Sequence, residues 1–427
     1  MLLSMNERLL QFIWQFQYFN KNNLETAAGV PLTILHPGQL NHNQGPDFSA
    51  AKIKLDTTTW AGNIEIHINA SDWFSHNHTN DANYTGIILH VVWNNDSMIA
   101  DVNHQPIATL ELQPLVSKMM LQHYEQLMHA GSFVPCENFL PVLNDVGWLS
   151  WKERLLAERL QRKAEIVHHH LQQVNNHWEE AFWRLLARNF GMKVNAGVFE
   201  QVAMSISIQT LAKHKHQLHQ IEALLMGQAA LLSSGFTEDY PKLLQREYRF
   251  LAKKYGLQPV NRTPDFLRMR PANFPTVRLA QLAVLIQQSS HLFSKILELE
   301  KVDAVYNLLD VTANDYWHYH YLFDEATPYK PKKLGKVMTD NIIINTVVPV
   351  LFAYGRFHKN EVLKERAVQL LAALPPEQNA VTKAWQLHGV KNQNAADAQA
   401  LIELKTTYCN QRNCLQCAVG NKLLKNG

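Results

Sequence analysis

The chain has 427 residues, 46% hydrophobic and 18% charged, with a formal net charge of +3. That length leaves room for two domains, the composition excludes a disordered, fibrous or disulfide-dense chain, and so small a charge neither demands nor excludes a nucleic-acid partner. No window approaches about 18 uncharged apolar residues, so no membrane span is expected. The start MLLSMNERLL lacks the pattern of a secretory signal, and a cytoplasmic location is expected.

Residues 6–20, NERLLQFIWQFQYFN, carry Leu9, Leu10, Ile13, Trp14 and Tyr18 at helical spacing, with Asn6 as cap and Glu7 in the first turn. From about 30 to 112 short β-rich runs alternate with Gly, Pro, Asn and Asp, and predict strands near 32–36, 48–55, 63–69, 87–93, 98–102 and 107–112. TTTWAGN is expected to turn between the second and third strands, and IILHVVW suits a strand buried on both faces. A short helix is expected near 80. From about 145 the chain reads as almost entirely helical, with Pro-punctuated loops at LQPVNRTPDFLRMRPANFPTVR and DEATPYKPKKLG. These features predict an α/β domain with a mixed sheet over 1–115, a linker over 116–147, and a large all-α domain over 148–427 that ends in a cysteine cluster.

The first candidate site lies in GPDFSAAKIKLDTTTWAGNIEIH. Residues i and i+2 of a strand share a face, so Glu65 and His67 form a pair, and Asp47 at the start of the preceding strand can lie beside Glu65 in a hairpin. Carboxylates suit a hard cation, and a histidine can bind metal or move a proton. After the next strand segment, SDWFSHNHTNDANY offers Asp72, His76, His78 and Asp81, and His90 follows in the apolar strand. Two histidines two residues apart with a nearby acid can ligate zinc or another transition metal, although a solvated loop and a hydrogen-bonded core His90 account for the same letters.

Helix, strand, Pro-Asp strand, turn and Glu-x-His strand together resemble the PD-(D/E)XK nuclease superfamily over residues 6–95, on Pro46-Asp47 and Glu65-Ile66-His67. The resemblance implies a restriction-endonuclease-like sheet and cleavage of nucleic acid, DNA first. It makes Asp47 and Glu65 ligands of Mg²⁺ or Mn²⁺, puts His67 where the superfamily has lysine, and gives Glu7 an assisting place on the first helix. Histidine does not replace the lysine charge at neutral pH, and Lys52 and Lys54 have the wrong strand parity unless a bulge intervenes. Over nearly its whole length, in stretches such as HPGQLNHNQGPDF, WAGNIEIHINASDWFSHNH, FWRLLARNFGMKVN, NTVVPVLFAYG and CNQRNCLQCAVG, the chain also resembles an uncharacterised bacterial family of unknown function.

Of four cysteines, Cys409, Cys414 and Cys417 follow a C-x4-C-x2-C spacing and Cys136 stands alone. In a reducing compartment that clustering points to Zn²⁺ or a 4Fe-4S cluster, with Cys136 as fourth ligand. Lys152, Arg154, Arg159, Arg162 and Lys163 on one helix, and Lys330, Lys332, Lys333 and Lys336 near Tyr329, are candidate phosphate-following patches; Trp317 to Tyr321 form an aromatic cluster that reads mostly as core. No phosphate loop, dinucleotide fingerprint or G-x-S-x-G is present. The leading expectation is a metal-dependent nuclease. The alternatives are a catalytically inactive nuclease-like scaffold that binds nucleic acid or protein, and a His/Asp metal hydrolase of a small molecule, which requires His76 and His78 to converge with His67.

Overall fold

Helix α1 (Glu7–Phe16) starts where Asn6 accepts the Leu9 amide at 2.9 Å, and it stops at Gln17, which turns left-handed at φ 53°. Between these ends Leu9, Leu10, Phe12, Ile13 and Trp14 are buried, each contributing about 1.5–3 kcal/mol of apolar transfer. The structure is a computed structural model that describes residues 5–426 other than 42, 43, 102, 268 and 290, without the side chains of 80 and 82. It divides into two compact units.

The first unit comprises Met1–Trp151, Leu387–Val390 and Leu404–Gly427. Its strands are β1 (Leu32–His36), β2 (Gln39–Leu40), β3 (Phe48–Leu55) and β4 (Thr58–Asn69); helix α2 (Asp72–Ser75) follows, then β5 (Ile87–Asn94) and β6 (Thr109–Glu111). The sheet order is β1-β3-β4-β5-β6 with β2 alongside β3. β1, β3 and β4 pair antiparallel, whereas β4–β5 and β5–β6 are parallel, so the sheet is mixed. The parallel step is reached through α2 and two 3₁₀ turns at His78–Asn80 and Ala82–Tyr84, which occupy the place of the helix expected near 80.

Several sequence expectations need correction. TTTWAGN is not a turn: β4 already begins at Thr58, and the hairpin turns at Asp56, left-handed at φ 50°. Within 98–102 the described residues form no strand, only an isolated bridge from Ala100 to Pro106, because Asp101 ties the turn through its own carboxylate to the amides of Asn103 and Gln105. The two-residue strand β2 has too short a pattern to be seen in sequence. Residues 116–147 contain helix α3 (Lys118–His129), capped by Ser117.

Next comes α4 (Asp145–Gln173). The second unit, Lys152–Gln386 and Lys391–Glu403, is built from the remainder of α4 with α5 (Trp178–Phe190), α6 (Met192–Ser205), α7 (Ile208–Ala212), α8 (Leu218–Gln228) and α9 (Asp239–Tyr255). It continues with α10 (Pro275–Gln288), α11 (Leu292–Glu298), α12 (Val302–Leu308) and α13 (Asp315–His318). A two-stranded hairpin, β7 (His320–Leu322) with β8 (Glu325–Ala326), interrupts the helices and corrects the all-α expectation locally. Helices α14 (Lys336–Ile342), α15 (Val348–Phe357), α16 (Glu361–Ala373), α17 (Ala380–Leu387) and α18 (Ala395–Glu403) complete it, and α19 (Ala418–Lys425) belongs to the first unit.

A π turn joins α14 and α15 into one run, Lys336–Phe357. At 22 residues and a mean hydropathy of 1.4 it is long and apolar enough to cross a membrane, contrary to the expectation that no window comes near this, but 67% of that window is buried inside the protein, as in a core helix. Within the aromatic cluster Trp317 packs inward, fully buried and donating its indole N–H to Glu222, which also accepts from Tyr240 and Asn314, whereas Tyr319 is exposed. The basic helix face is largely neutralised. Arg159 and Arg162 pair with the buried Glu403, Lys152 with Asp397 and Arg154 with Glu158.

One close approach fixes the sheet beside the site. A Cβ on Gly62 of β4 would stand 2.5 Å from Ile88 Cγ2 and 2.6 Å from the Gly86 carbonyl oxygen. The backbone oxygen cannot rotate away, so Gly62→Ala must spread β4 from β5. We expect a loss of about 1–3 kcal/mol, read as a lower midpoint in denaturant unfolding; an unchanged midpoint would mean that the parallel pair tolerates the extra carbon.

Candidate metal centre on the sheet

Phe48 pairs with Ile64 across the β3–β4 ladder, which sets Asp47 opposite Glu65. The two acids exchange backbone donors: the Asp47 amide donates to Glu65 Oε2 at 3.1 Å, and the Ile66 amide donates to Asp47 Oδ2 at 3.1 Å. Gln11 on α1 donates to Asp47 Oδ1 at 2.8 Å. Gln11 was not singled out in the sequence, yet it lies four residues after Glu7 on the same helix face. Glu7 itself is exposed, and its charge raises the pKa of both Asp47 and Glu65.

Along β4, Ile64 and Ile66 share one face and Glu65 and His67 the other. The parallel register aligns Glu65 with His90. His90 is fully buried, and its Nε2 lies 2.8 Å from His67 Nδ1. After β4, α2 and the turn at Asn77, left-handed at φ 58°, carry His76 and His78 back to the same place. His67 Nε2 lies 3.1 Å from His76 Nδ1, and Glu65 Oε1 lies 3.7 Å from His67 Nε2 and 3.4 Å from His78 Nε2. One ligand nitrogen from each of His67, His76 and His78 lies within 4.8 Å of the others. Zinc with Zn–N bonds of about 2.0–2.1 Å would draw such atoms to separations of about 3.4 Å, a contraction that side-chain rotation can supply.

The loop histidines are held, not merely solvated. His78 is buried, stacks on Tyr84 with ring centroids 3.8 Å apart, and meets Trp73 edge-on at 5.3 Å. Trp73 donates to Thr79, which pins the turn. His76 is exposed, so the cluster opens to solvent on that side. A cleft of about 80 Å³ beside His78 is lined by Trp73, Asp81, Tyr84 and Asp101. Asp72 accepts the Asn69 amide, and Asp81 closes its own turn onto Asn83; neither belongs to the ligand cluster. A β-bulge interrupts the ladder between Phe48 and Ala51, with Ala50 left-handed, yet Lys52 and Lys54 are exposed and pair with Ala61 and Thr59, four and six residues before Glu65. Neither lysine is placed at the site.

Burial dominates the electrostatics. It pushes Glu65 up to about 8 and Asp47 up to about 6, each against the other's backbone donor and reinforced by Glu7. Burial, with His76 and His78 nearby, holds His67 down at about 3; burial, with His67 and His78, does the same for His90; His78 is also lowered. These imidazoles are therefore neutral at pH 7, the form that binds metal. In the tautomer in which His67 Nδ1 donates to His90 Nε2, the His67 Nε2 lone pair would face His76 and Glu65, the second-sphere arrangement that orients a metal-binding histidine. His78 Nε2 is buried and, despite its 3.4 Å approach to Glu65, makes no hydrogen bond. A neutral, buried and unsatisfied imidazole nitrogen facing a carboxylate fits a divalent cation between them.

We expect the protein to bind one equivalent of Zn²⁺ or Co²⁺ that is lost in His78→Ala, whereas His90→Ala keeps the stoichiometry but binds about 10–100-fold more weakly. Calorimetric titration and metal analysis of dialysed protein check both; equal stoichiometry in wild type and His78→Ala would refute the site. The metal-free protein carries a pH signature. Glu65 has a folded value of about 8 against an ordinary 4.5, so its burial costs nothing below pH 4.5 and a growing amount from there to about 8. Glu65→Gln should therefore stabilise metal-free protein at pH 9 and leave it nearly unchanged at pH 4, measured by denaturant unfolding at both.

No curated protein and no solved structure matches the chain. A family profile covers residues 7–380, which include every residue of this cluster and leave Cys409, Cys414 and Cys417 outside. The chain thus belongs to the family described as protein of unknown function, DUF2851.

Proposed function

We propose that the chain is a metal-dependent hydrolase of phosphodiester bonds in nucleic acid, DNA first, with its centre at His67, His76, His78 and Glu65 and with Asp47 beside it. The observation that carries the reading is the convergence of three imidazole nitrogens and a carboxylate on one face of β4. The helix, the antiparallel strands, the short crossover and the parallel strand come in the order that the restriction-endonuclease-like resemblance implies, with Asp47 opposite Glu65-x-His67. That order supports a nuclease over other hydrolases.

Three imidazoles favour Zn²⁺ or a similar transition metal over Mg²⁺ and Mn²⁺, which suit oxygen ligands. When bound there, the cation supplies Lewis acidity and a more acidic water. The protein's own groups do the rest. His90 fixes the His67 ring through their 2.8 Å contact, and Gln11 holds the Asp47 carboxylate. Glu65 faces His67 and His78 as a ligand, and Asp47, held by Gln11 beside it, is the carboxylate that would take a proton from water. The absence of a lysine at position 67 leaves neutralisation of a phosphate to the metal.

A second reading is hydrolysis of a small molecule. Its condition, that His76 and His78 reach His67, is met, and the adjoining cleft is small.

Supercoiled, linear and single-stranded DNA, RNA and a chromogenic small phosphodiester should be assayed with Mn²⁺, Zn²⁺ and Mg²⁺. We expect metal-dependent cleavage of nucleic acid, reduced at least about 100-fold in Glu65→Gln and Asp47→Asn. His67→Lys should abolish it in this imidazole-built centre, whereas a centre of the usual lysine kind would retain Mg²⁺ activity. Turnover of the small diester alone supports the second reading. Binding of nucleic acid without turnover by any metal would instead mark an inactive scaffold.

A further inference from the structure

The chain has four cysteines, and the fold gathers all of them. Cys136 opens a 3₁₀ turn shortly after α3; Cys409 ends a π turn, Leu404–Cys409; Cys414 opens a 3₁₀ turn; Cys417 precedes α19. All four are buried, between 6% and 8% exposed, and none is in a disulfide. Two anchors bring the distant Cys136 segment to the C-terminal loop. Arg412, left-handed at φ 57°, donates to the carbonyls of Leu127 and Ala130 at the end of α3, and Lys405 lies over the Phe133 ring at 5.0 Å. The loop is tight enough that a Cβ on Gly420 would stand 2.1 Å from the Cys414 carbonyl oxygen.

We propose that Cys136, Cys409, Cys414 and Cys417 hold a four-iron–four-sulfur cluster that clamps the C-terminal segment onto the turn after α3 within the sheet unit. Two observations select this over the bland alternatives. The first is the sulfur environment. All four thiols are buried, three of them at the C-x4-C-x2-C spacing, and the Arg412 and Lys405 contacts hold the segment of the fourth against their loop.

The second observation is spacing. The bonds of Arg412 to the Leu127 and Ala130 carbonyls and the placement of Lys405 over Phe133 bring the three C-terminal cysteines to the Cys136 turn. Yet among the described residues no three of their sulfurs lie within 4.8 Å of one another; the only such group of potential ligands is the histidine cluster. A tetrahedral zinc with Zn–S bonds of about 2.3 Å needs sulfurs about 3.8 Å apart. An iron–sulfur cube places its own inorganic core between the four thiolates and holds them wider. This proposal stands independently of the hydrolase reading: the two sites share no residue.

The test is the metal content of the full-length chain purified anaerobically. We expect brown protein with about four iron and four acid-labile sulfide per chain, an EPR signal on reduction with dithionite, and less than a quarter of that iron in Cys136→Ser and in Cys414→Ser. Circular dichroism on each variant separates loss of cluster from loss of fold, and the wild-type content decides the matter even if both variants unfold. One zinc without iron per chain would overturn the proposal. So would protein that stays colourless after anaerobic reconstitution with ferrous iron and sulfide. The histidine-site variant His78→Ala should leave iron and sulfide unchanged.

Discussion

The pairing of β3 with β4 at the Asp47–Glu65 step governs the candidate metal centre. At this step each carboxylate takes a hydrogen bond from the other strand's backbone, at 3.1 Å in both directions. The exchange ties each strand's carboxyl group to the other strand's amide and so fixes register to the residue. A slip of one position would turn Glu65 and His67 into the face now held by Ile64 and Ile66. The adjoining parallel strand then has one consistent place, with His90 aligned to Glu65.

Electrostatically the centre is incomplete as a protein. It holds two buried carboxyl groups whose ordinary charged form is suppressed, and imidazoles kept neutral by burial, with neither Lys52 nor Lys54 placed to balance them. Desolvation of this kind is costly unless a cation or a proton relieves it. Protons do so in the metal-free state. A divalent cation would relieve it more fully, satisfying His78 Nε2 as well. With His67, His76 and His78 together and no lysine placed among them, the site offers affinity toward a softer metal and no fixed positive charge.

The helical unit solves its buried charges differently, by pairing within the protein. Glu403, 2% exposed, is met by Arg159 and Arg162. Glu222 is surrounded by Trp317, Tyr240 and Asn314, and burial raises its carboxyl to about 7 with these donors opposing. Lys152, Arg159, Arg162 and Trp317, which look like parts of a basic or aromatic surface in the sequence, are here structural, because their partners Asp397, Glu403 and Glu222 lie on helices remote in sequence. In the sheet site, by contrast, among the described residues no lysine or arginine pairs with Asp47 or Glu65, and His78 Nε2 is left without a hydrogen bond.

The sequence by itself determined much of the local order. Asn6 as cap, the two-residue alternation around Glu65 and His67, the apolar run at 87–93 and the change to helical spacing after 145 are all written in neighbouring residues, and each is set by short-range sterics and hydrogen bonding. That Asp47 can lie beside Glu65 in a hairpin was also legible, but the register was not, because the chain turns at Asp56 and not at TTTWAGN. Only the tertiary structure decided that His76 and His78 return to His67. That return depends on a left-handed Asn77, on Tyr84 and Trp73 packing around His78, and on a parallel strand that brings His90 alongside, none of which has a periodic signature. The tertiary structure likewise decided that Cys136 meets the C-terminal cysteines, because Arg412 reaches carbonyls 285 and 282 residues away. Spacing along a chain specifies which residues share a face; which faces meet is settled by burial, summed over contacts that no local pattern records.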